Sequence, residues 1–172
     1  RIWALSADYA EDVRVGGEII KSSVDAYRKL RNTLRFMLGN LAHYQDELRV
    51  APEEMPELER YMLHRLAELD DLVRTAYDAF DFKKVFHALY NFATIDLSAF
   101  YFDIRKDTLY CEPYDSVKRR ATLTVLDELF SCLTAWLAPI LCFTMEEVWL
   151  SRYPSRNDSV HLRVFPEVPA DW

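Results

Sequence analysis

The run Asp25-Ala-Tyr-Arg-Lys-Leu-Arg-Asn-Thr-Leu-Arg-Phe-Met-Leu-Gly-Asn-Leu41 limits the fold more than any other stretch of the chain. Placed at about 100° per residue, it divides into two faces. Tyr27, Leu30, Leu34, Met37, Leu38 and Leu41 make an apolar stripe, while Arg28, Arg31, Asn32 and Arg35 recur at helical spacings on another face, with Gly39 further along it. Such a stretch predicts a helix packed on a core by one side and presenting a row of guanidinium groups on the other. Arginine carries a planar fork of donors that matches phosphate, so the row suits an RNA backbone. The same row also fits the solvated face of a core helix, and spacing alone leaves both readings open.

Only 3 glycines in 172 residues argue for long helices with few tight turns. With 51% hydrophobic and 28% charged residues, the composition is that of a globular chain, one large domain or a piece of a longer protein. No apolar run reaches the length of a membrane span and no signal-peptide pattern opens the sequence. Cys111, Cys132 and Cys142 form no Cys-x-x-Cys pair, so reduced core thiols and a cytoplasmic location are expected. The net charge of −7 is concentrated between Asp46 and Asp81, where 11 acidic residues face 4 basic ones; the rest of the chain is neutral. The Arg28–Arg35 row and the Lys118-Arg119-Arg120 cluster are therefore locally basic, and a polyanion responds to local potential.

In chain order, residues 1–9 read as the end of a helix, and Asp12-Val-Arg-Val15 as an extended connector broken by Gly16-Gly17. The main helix is predicted from near Glu18 to about Tyr44. A second is predicted from Glu57 to Phe80, with an acidic outer face. A third, capped by Asp81, is predicted from Phe82 to about Leu109 and is the most apolar, hence the most buried. Asp96 in its middle is expected to be a structural acid paired with a basic neighbour. Asp115 or Ser116 caps a fourth, Val117–Ala138, ended or kinked by Pro139, and a short helix runs from Phe143 to Tyr153. The alternating tail Ser159–Phe165 predicts a short strand or extended arm, and Pro166 and Pro169 a linker. The fold class is all-α: an antiparallel bundle of about four long helices with a short C-terminal helix and an extended tail.

Catalytic patterns do not emerge. The residues three before the four histidines are Asn40, Tyr61, Lys84 and Asp158, so there is no Glu-x-x-His pair for a carboxylate-bridged metal site. His-Glu-x-x-His, a glycine-rich phosphate loop, a Gly-x-Ser-x-Gly elbow and a dinucleotide fingerprint are likewise missing. A binding or scaffolding domain with no catalytic or metal site of its own is expected.

Tyr27–Leu41, with its Arg-Asn-Thr-Leu-Arg-Phe core, closely resembles the helix that opens the anticodon-binding domain of the isoleucyl-tRNA synthetase family, bacterial or organellar type. Asp12–Val15, Asn91–Asp103 with Lys106–Tyr110, and Trp136–Trp149 resemble further family segments in the same order. The last is a hallmark shared more widely by the class I synthetases, the valyl enzymes included. The resemblance implies that residues 1–16 end the stem or connector from the catalytic part, that 17–153 form the anticodon-binding bundle, and that 154–172 lead towards a missing C-terminal region. It implies a parent that joins isoleucine to its tRNA with ATP and magnesium and carries structural zinc in its C-terminal region. The present chain, lacking the His-Ile-Gly-His and Lys-Met-Ser-Lys-Ser signatures, would hold no cofactor and be inactive alone. Implied partners are isoleucine tRNA, through its anticodon stem-loop, and the catalytic and C-terminal domains of the same polypeptide, in a monomer that does not engage membranes. Arg14, Lys21, Arg28, Arg31, Asn32 and Arg35 are the expected tRNA contacts. Lys118, Arg119 and Arg120 are a second candidate patch, for tRNA contact or as a solvated helix start. Some of these arginines would alternatively pair with acids such as Asp96 and Asp103. The related valyl domain and a helical protein-interaction module are the other readings.

Overall fold

The computed structural model describes residues 1–7, 12–13 and 15–172. Among them seven α-helices occur: α1 (Ile2–Ser6), α2 (Gly17–Leu41), α3 (Glu57–Asp78), α4 (Phe82–Asn91), α5 (Phe102–Cys111), α6 (Val117–Leu137) and α7 (Cys142–Arg152). Between α4 and α5 the chain stays helical through a ten-residue π segment, Phe92–Tyr101. α4, the π segment and α5 thus form one rod, and with α2, α3 and α6 it makes up the four long members of an all-α bundle. No helix among the described residues is long and apolar enough to cross a membrane.

The boundaries follow local chemistry. α3 ends on two reciprocal bonds, Asp81 N–H to the Ala76 carbonyl (2.9 Å) and Phe80 N–H to the Tyr77 carbonyl (3.0 Å), which place Phe80 in the left-handed region at φ 56°. Asp81 then turns its carboxylate onto the Lys84 N–H at 2.9 Å and starts α4, so one residue closes one helix and caps the next. Ser116, rather than Asp115, caps α6 by accepting from the Arg119 N–H. α6 stops at Leu137, just before Pro139.

The core centres on α6, which touches α2, α3, α5 and α7. Here the structure corrects the sequence reading: α6 buries 15 of its 21 residues, whereas the α4–α5 rod leaves Ile95, Phe100 and Ile104 exposed. The π segment bonds i to i+5 instead of i to i+4, so its side chains fall out of step with a 3.6-residue stripe, and Ile95 and Phe100 face outward. α2 buries Leu30, Leu34, Met37 and Leu41, each contributing about 1.5–3 kcal/mol of transfer energy. Thr33, on the same side, places its hydroxyl 3.0 Å from Ser98 Oγ and 3.3 Å from the Ala93 carbonyl, fixing α2 against the π segment.

One ionic cluster lies inside this core. Glu59 has no exposed surface and accepts from Arg105 Nε at 2.7 Å and Nη2 at 2.8 Å, from the Tyr101 hydroxyl at 3.1 Å and from Thr122 at 3.2 Å. It joins α3, the rod and α6 through one carboxylate. Asp96 pairs with Arg65 at 3.3 Å, the structural role expected of it.

Of the two forms expected for the tail, a short strand or an extended arm, the strand is not found. No strand occurs among the described residues; residues 153–172 are irregular apart from a 3-10 turn at Val160–Leu162. Glu146 of α7 holds that turn by accepting from Ser159 Oγ (2.8 Å) and the Val160 N–H (3.0 Å). Further on, Pro166 accepts from Arg74, the Trp172 carbonyl lies 2.9 Å from His64 Nδ1, and Phe165, Val168 and Trp172 pack on the core. Of the three thiols only Cys132 is buried, its pKa pushed up to about 12 by that burial; Cys111 is exposed.

Candidate nucleic-acid interface

With its apolar stripe fixed against the π segment and α6, α2 has no freedom in which side it shows. Arg28, Arg31, Asn32, Arg35 and Gly39 are all exposed, and so is Lys21 one turn from the helix start. Arg28 pairs with Asp25 at 3.4 Å and Arg31 with Glu147 of α7 at 3.6 Å, each group about half or more exposed. Pairs of this kind contribute at most about 1 kcal/mol and yield readily to a phosphate. Arg35 and Lys21 make no ion pair among the described residues. Asp96 and Asp103, the acids proposed as alternative partners, are taken by Arg65 and Lys106. Tyr27, at the start of the stripe, and Phe36, beside it, serve packing: the Tyr27 hydroxyl meets Thr144 Oγ1 at 3.1 Å, and Phe36 stacks on Phe102 with centroids 4.4 Å apart. Arg14 lies outside the described residues.

The second basic cluster is differently placed. Arg119 is buried, donates to the Glu112 carbonyl at 2.7 Å and lies 4.1 Å over the Tyr114 ring. Arg120 donates to the Leu48 carbonyl at 3.0 Å, and Lys118 pairs with Glu112 at 3.4 Å. These three side chains tie the turn at 112–116 and the connection at 45–49 to the start of α6. Arg119 alone of the three is buried, so it does not fit a solvated helix start and has no face to offer a phosphate.

A feature that sequence reasoning missed lies at the C-terminal end of α2. Asn32, Arg35, Phe36, Gly39 and His43 line one side of a groove of about 430 Å³, and Leu109 and Tyr110 of α5 the other. Tyr110 is 65% exposed. Beyond it, His43 meets the exposed Tyr114 ring edge-on at 5.6 Å. The signal in the sequence was Gly39, on the polar face of α2; Tyr110 comes from 71 positions away and only the fold brings it near.

Residues 59–172 match the model of the anticodon-binding domain of tRNA ligases. The chain belongs to this anticodon-binding domain family. The matched span runs from α3 to the end of the tail, and α2 precedes it. The whole chain, α2 included, aligns with curated proteins named isoleucine–tRNA ligase: 60% identity over 172 residues in Agrobacterium fabrum, 59% over 172 in Mesorhizobium japonicum and 60% over 173 in Ruegeria pomeroyi. In each case all of this chain is covered and 17–18% of the relative, so the chain spans under a fifth of the length of these relatives. Two other depressions flank α2, an apolar one of about 410 Å³ towards α1 and α7 and a polar one of about 700 Å³ towards α4.

Proposed function

We propose that this chain is the anticodon-binding portion of an isoleucine–tRNA ligase and that the exposed face of α2 meets the backbone of the tRNA anticodon stem-loop. The observation that carries this is the row Arg28, Arg31, Arg35: exposed, held by weak pairs or none among the described residues, and set on a helix whose other side is locked into the core. Arg28 and Arg31 would exchange Asp25 and Glu147 for phosphates, Arg35 would bind one directly, and Asn32 would donate to a sugar or base. Lys21, and Arg14 before it, would extend the contact.

Under this reading residues 1–16 close the stem or connector from the catalytic part, 17–153 are the tRNA platform, and 154–172 lead towards further C-terminal sequence. The parent would attach isoleucine with ATP and magnesium, as a cytoplasmic monomer. The described residues contain no group of three or more side chains that could hold a metal, and the proposed contact uses none.

The test is a titration of the chain with isoleucine tRNA at two salt concentrations. Binding should weaken as salt rises, and Arg28→Glu, Arg31→Glu and Arg35→Glu should each reduce the slope of log affinity against log salt by about one. Unchanged affinity in the triple variant at low salt would refute the assignment.

A further inference from the structure

Apolar side chains line the outer surface where α3 meets the rod. Ile95, Phe100 and Ile104 are separated by five and then four positions, so the wide turn of the π segment and the first turn of α5 bring them into one stripe. Each is between 41% and 60% exposed. Tyr61 of α3, also exposed, meets Phe100 edge-on at 6.4 Å and carries the stripe across the seam between the two helices. Beside it Arg65 is committed to Asp96 and Lys106 to Asp103, so these flanking charges cancel in pairs. Such a surface suits contact with protein and offers little to a polyanion.

The course of the tail names the occupant. The Pro166 carbonyl is held by Arg74, and further along the chain the Trp172 carbonyl lies 2.9 Å from His64 Nδ1, with Val168 and Trp172 packed on the core. The tail thus travels along α3 towards its N-terminal end. At about 100° per residue, Arg74 lies about 80° to one side of His64 and Tyr61 about 60° to the other. The tail is therefore crossing α3 obliquely, on a heading that meets Tyr61 within one helical turn and then Phe100 across the seam. We propose that the stripe of Tyr61, Ile95, Phe100 and Ile104 seats the polypeptide that follows Trp172 in the full-length ligase, a segment that turns apolar side chains onto the α3–rod seam. The inference rests on the reading that 154–172 lead to further sequence of a longer isoleucine–tRNA ligase; this chain covers 17–18% of its relatives' length. The π segment gains a purpose, since its spacing is what turns Ile95 and Phe100 outward to form the seat.

The test compares the full-length enzyme with the same enzyme ended at Trp172. Each is labelled at two protein concentrations with a photoreactive diazirine that marks exposed side chains, and the sites are read by mass spectrometry. Tyr61, Ile95, Phe100 and Ile104 should lose most of their labelling in the full-length enzyme and regain it in the shortened one, at both concentrations. In the full-length enzyme Ile104→Asp should speed protease cleavage beyond Trp172 about tenfold, while Ile104→Leu leaves it unchanged. Equal labelling of the stripe in the two forms would overturn the proposal: if both are labelled nothing is seated there, and if both are protected an earlier part of the polypeptide covers it. Protection that appears only at the higher concentration would overturn it in favour of a second copy. Joining of isoleucine to tRNA by the full-length enzyme checks the underlying reading separately. Activity with an uncovered stripe refutes the seat alone, whereas no activity removes the reading and the seat with it.

Discussion

Replacing Glu59 by glutamine changes one atom at the centre of the bundle, and the structure sets what that should cost. The carboxylate is fully enclosed and receives both Arg105 donors at 2.7 and 2.8 Å, in the two-pronged geometry that makes a guanidinium–carboxylate pair strong. Arg105 is itself 8% exposed, so it has little water to turn to. A glutamine keeps the shape and one acceptor but places an N–H₂ against a guanidinium that also donates, leaving a buried positive charge uncompensated. Removing one partner of a buried pair costs about 3–5 kcal/mol. For a chain of this length, each kcal/mol lowers the melting temperature by about 2–4 °C, so a fall of roughly 6–20 °C is expected. Urea unfolding followed by far-UV circular dichroism measures the free energy directly. The companion variant is decisive: Glu59→Leu, Tyr101→Phe and Arg105→Leu together remove the charge, its partner and the hydroxyl that would be orphaned. It should recover most of the loss, because an ion pair replaced by packed apolar groups is often neutral or better. A loss below about 1 kcal/mol for Glu59→Gln would refute the account of Glu59 as an enclosed acid that compensates the Arg105 charge.

Two further outcomes follow from single sites. Phe80→Gly should stabilise the chain by about 1 kcal/mol in the same urea assay, since Phe80 holds φ 56° at the end of α3 with its ring 67% exposed. Alkaline titration should show delayed ionisation of Tyr44, Tyr77, Tyr101 and Tyr153 among the ten tyrosines, all raised chiefly by burial, Tyr44 to about 12. A phenol raised above its ordinary value near 10 contributes stability that is complete below that pH and lost as pH climbs towards the folded value. Tyrosinate absorbance should thus rise in a second step that coincides with loss of helical signal.

Most of the helical plan was legible because it is written in local chemistry. Asp81 and Ser116 act as caps through their own side chains, Pro139 forbids a continuing helix, and the stripe from Leu30 to Leu41 faces the core by arithmetic alone. The rod from Phe82 to Cys111 misled at its centre, since an apolar run carries no mark of where α spacing gives way to π. The cluster Lys118-Arg119-Arg120 misled for a different reason. Three successive residues of a helix point about 100° apart and cannot share a face, so one of them was bound to turn inward. Arg119 does, over Tyr114. The groove beside Gly39 was half legible: its helix side could be read, while the Tyr110 wall depends on how the end of α5 meets the end of α2.

The π segment also acts as a phase setter for everything downstream in its rod. Inserting a single residue between Phe92 and Tyr101 would rotate α5 by about 100° relative to α4. Arg105 would swing away from Glu59, Phe102 from Phe36, and Tyr110 from the end of α2. A point substitution in this run is a local matter, whereas a one-residue change in its length would re-index the core, the interhelical stacking and the groove at once.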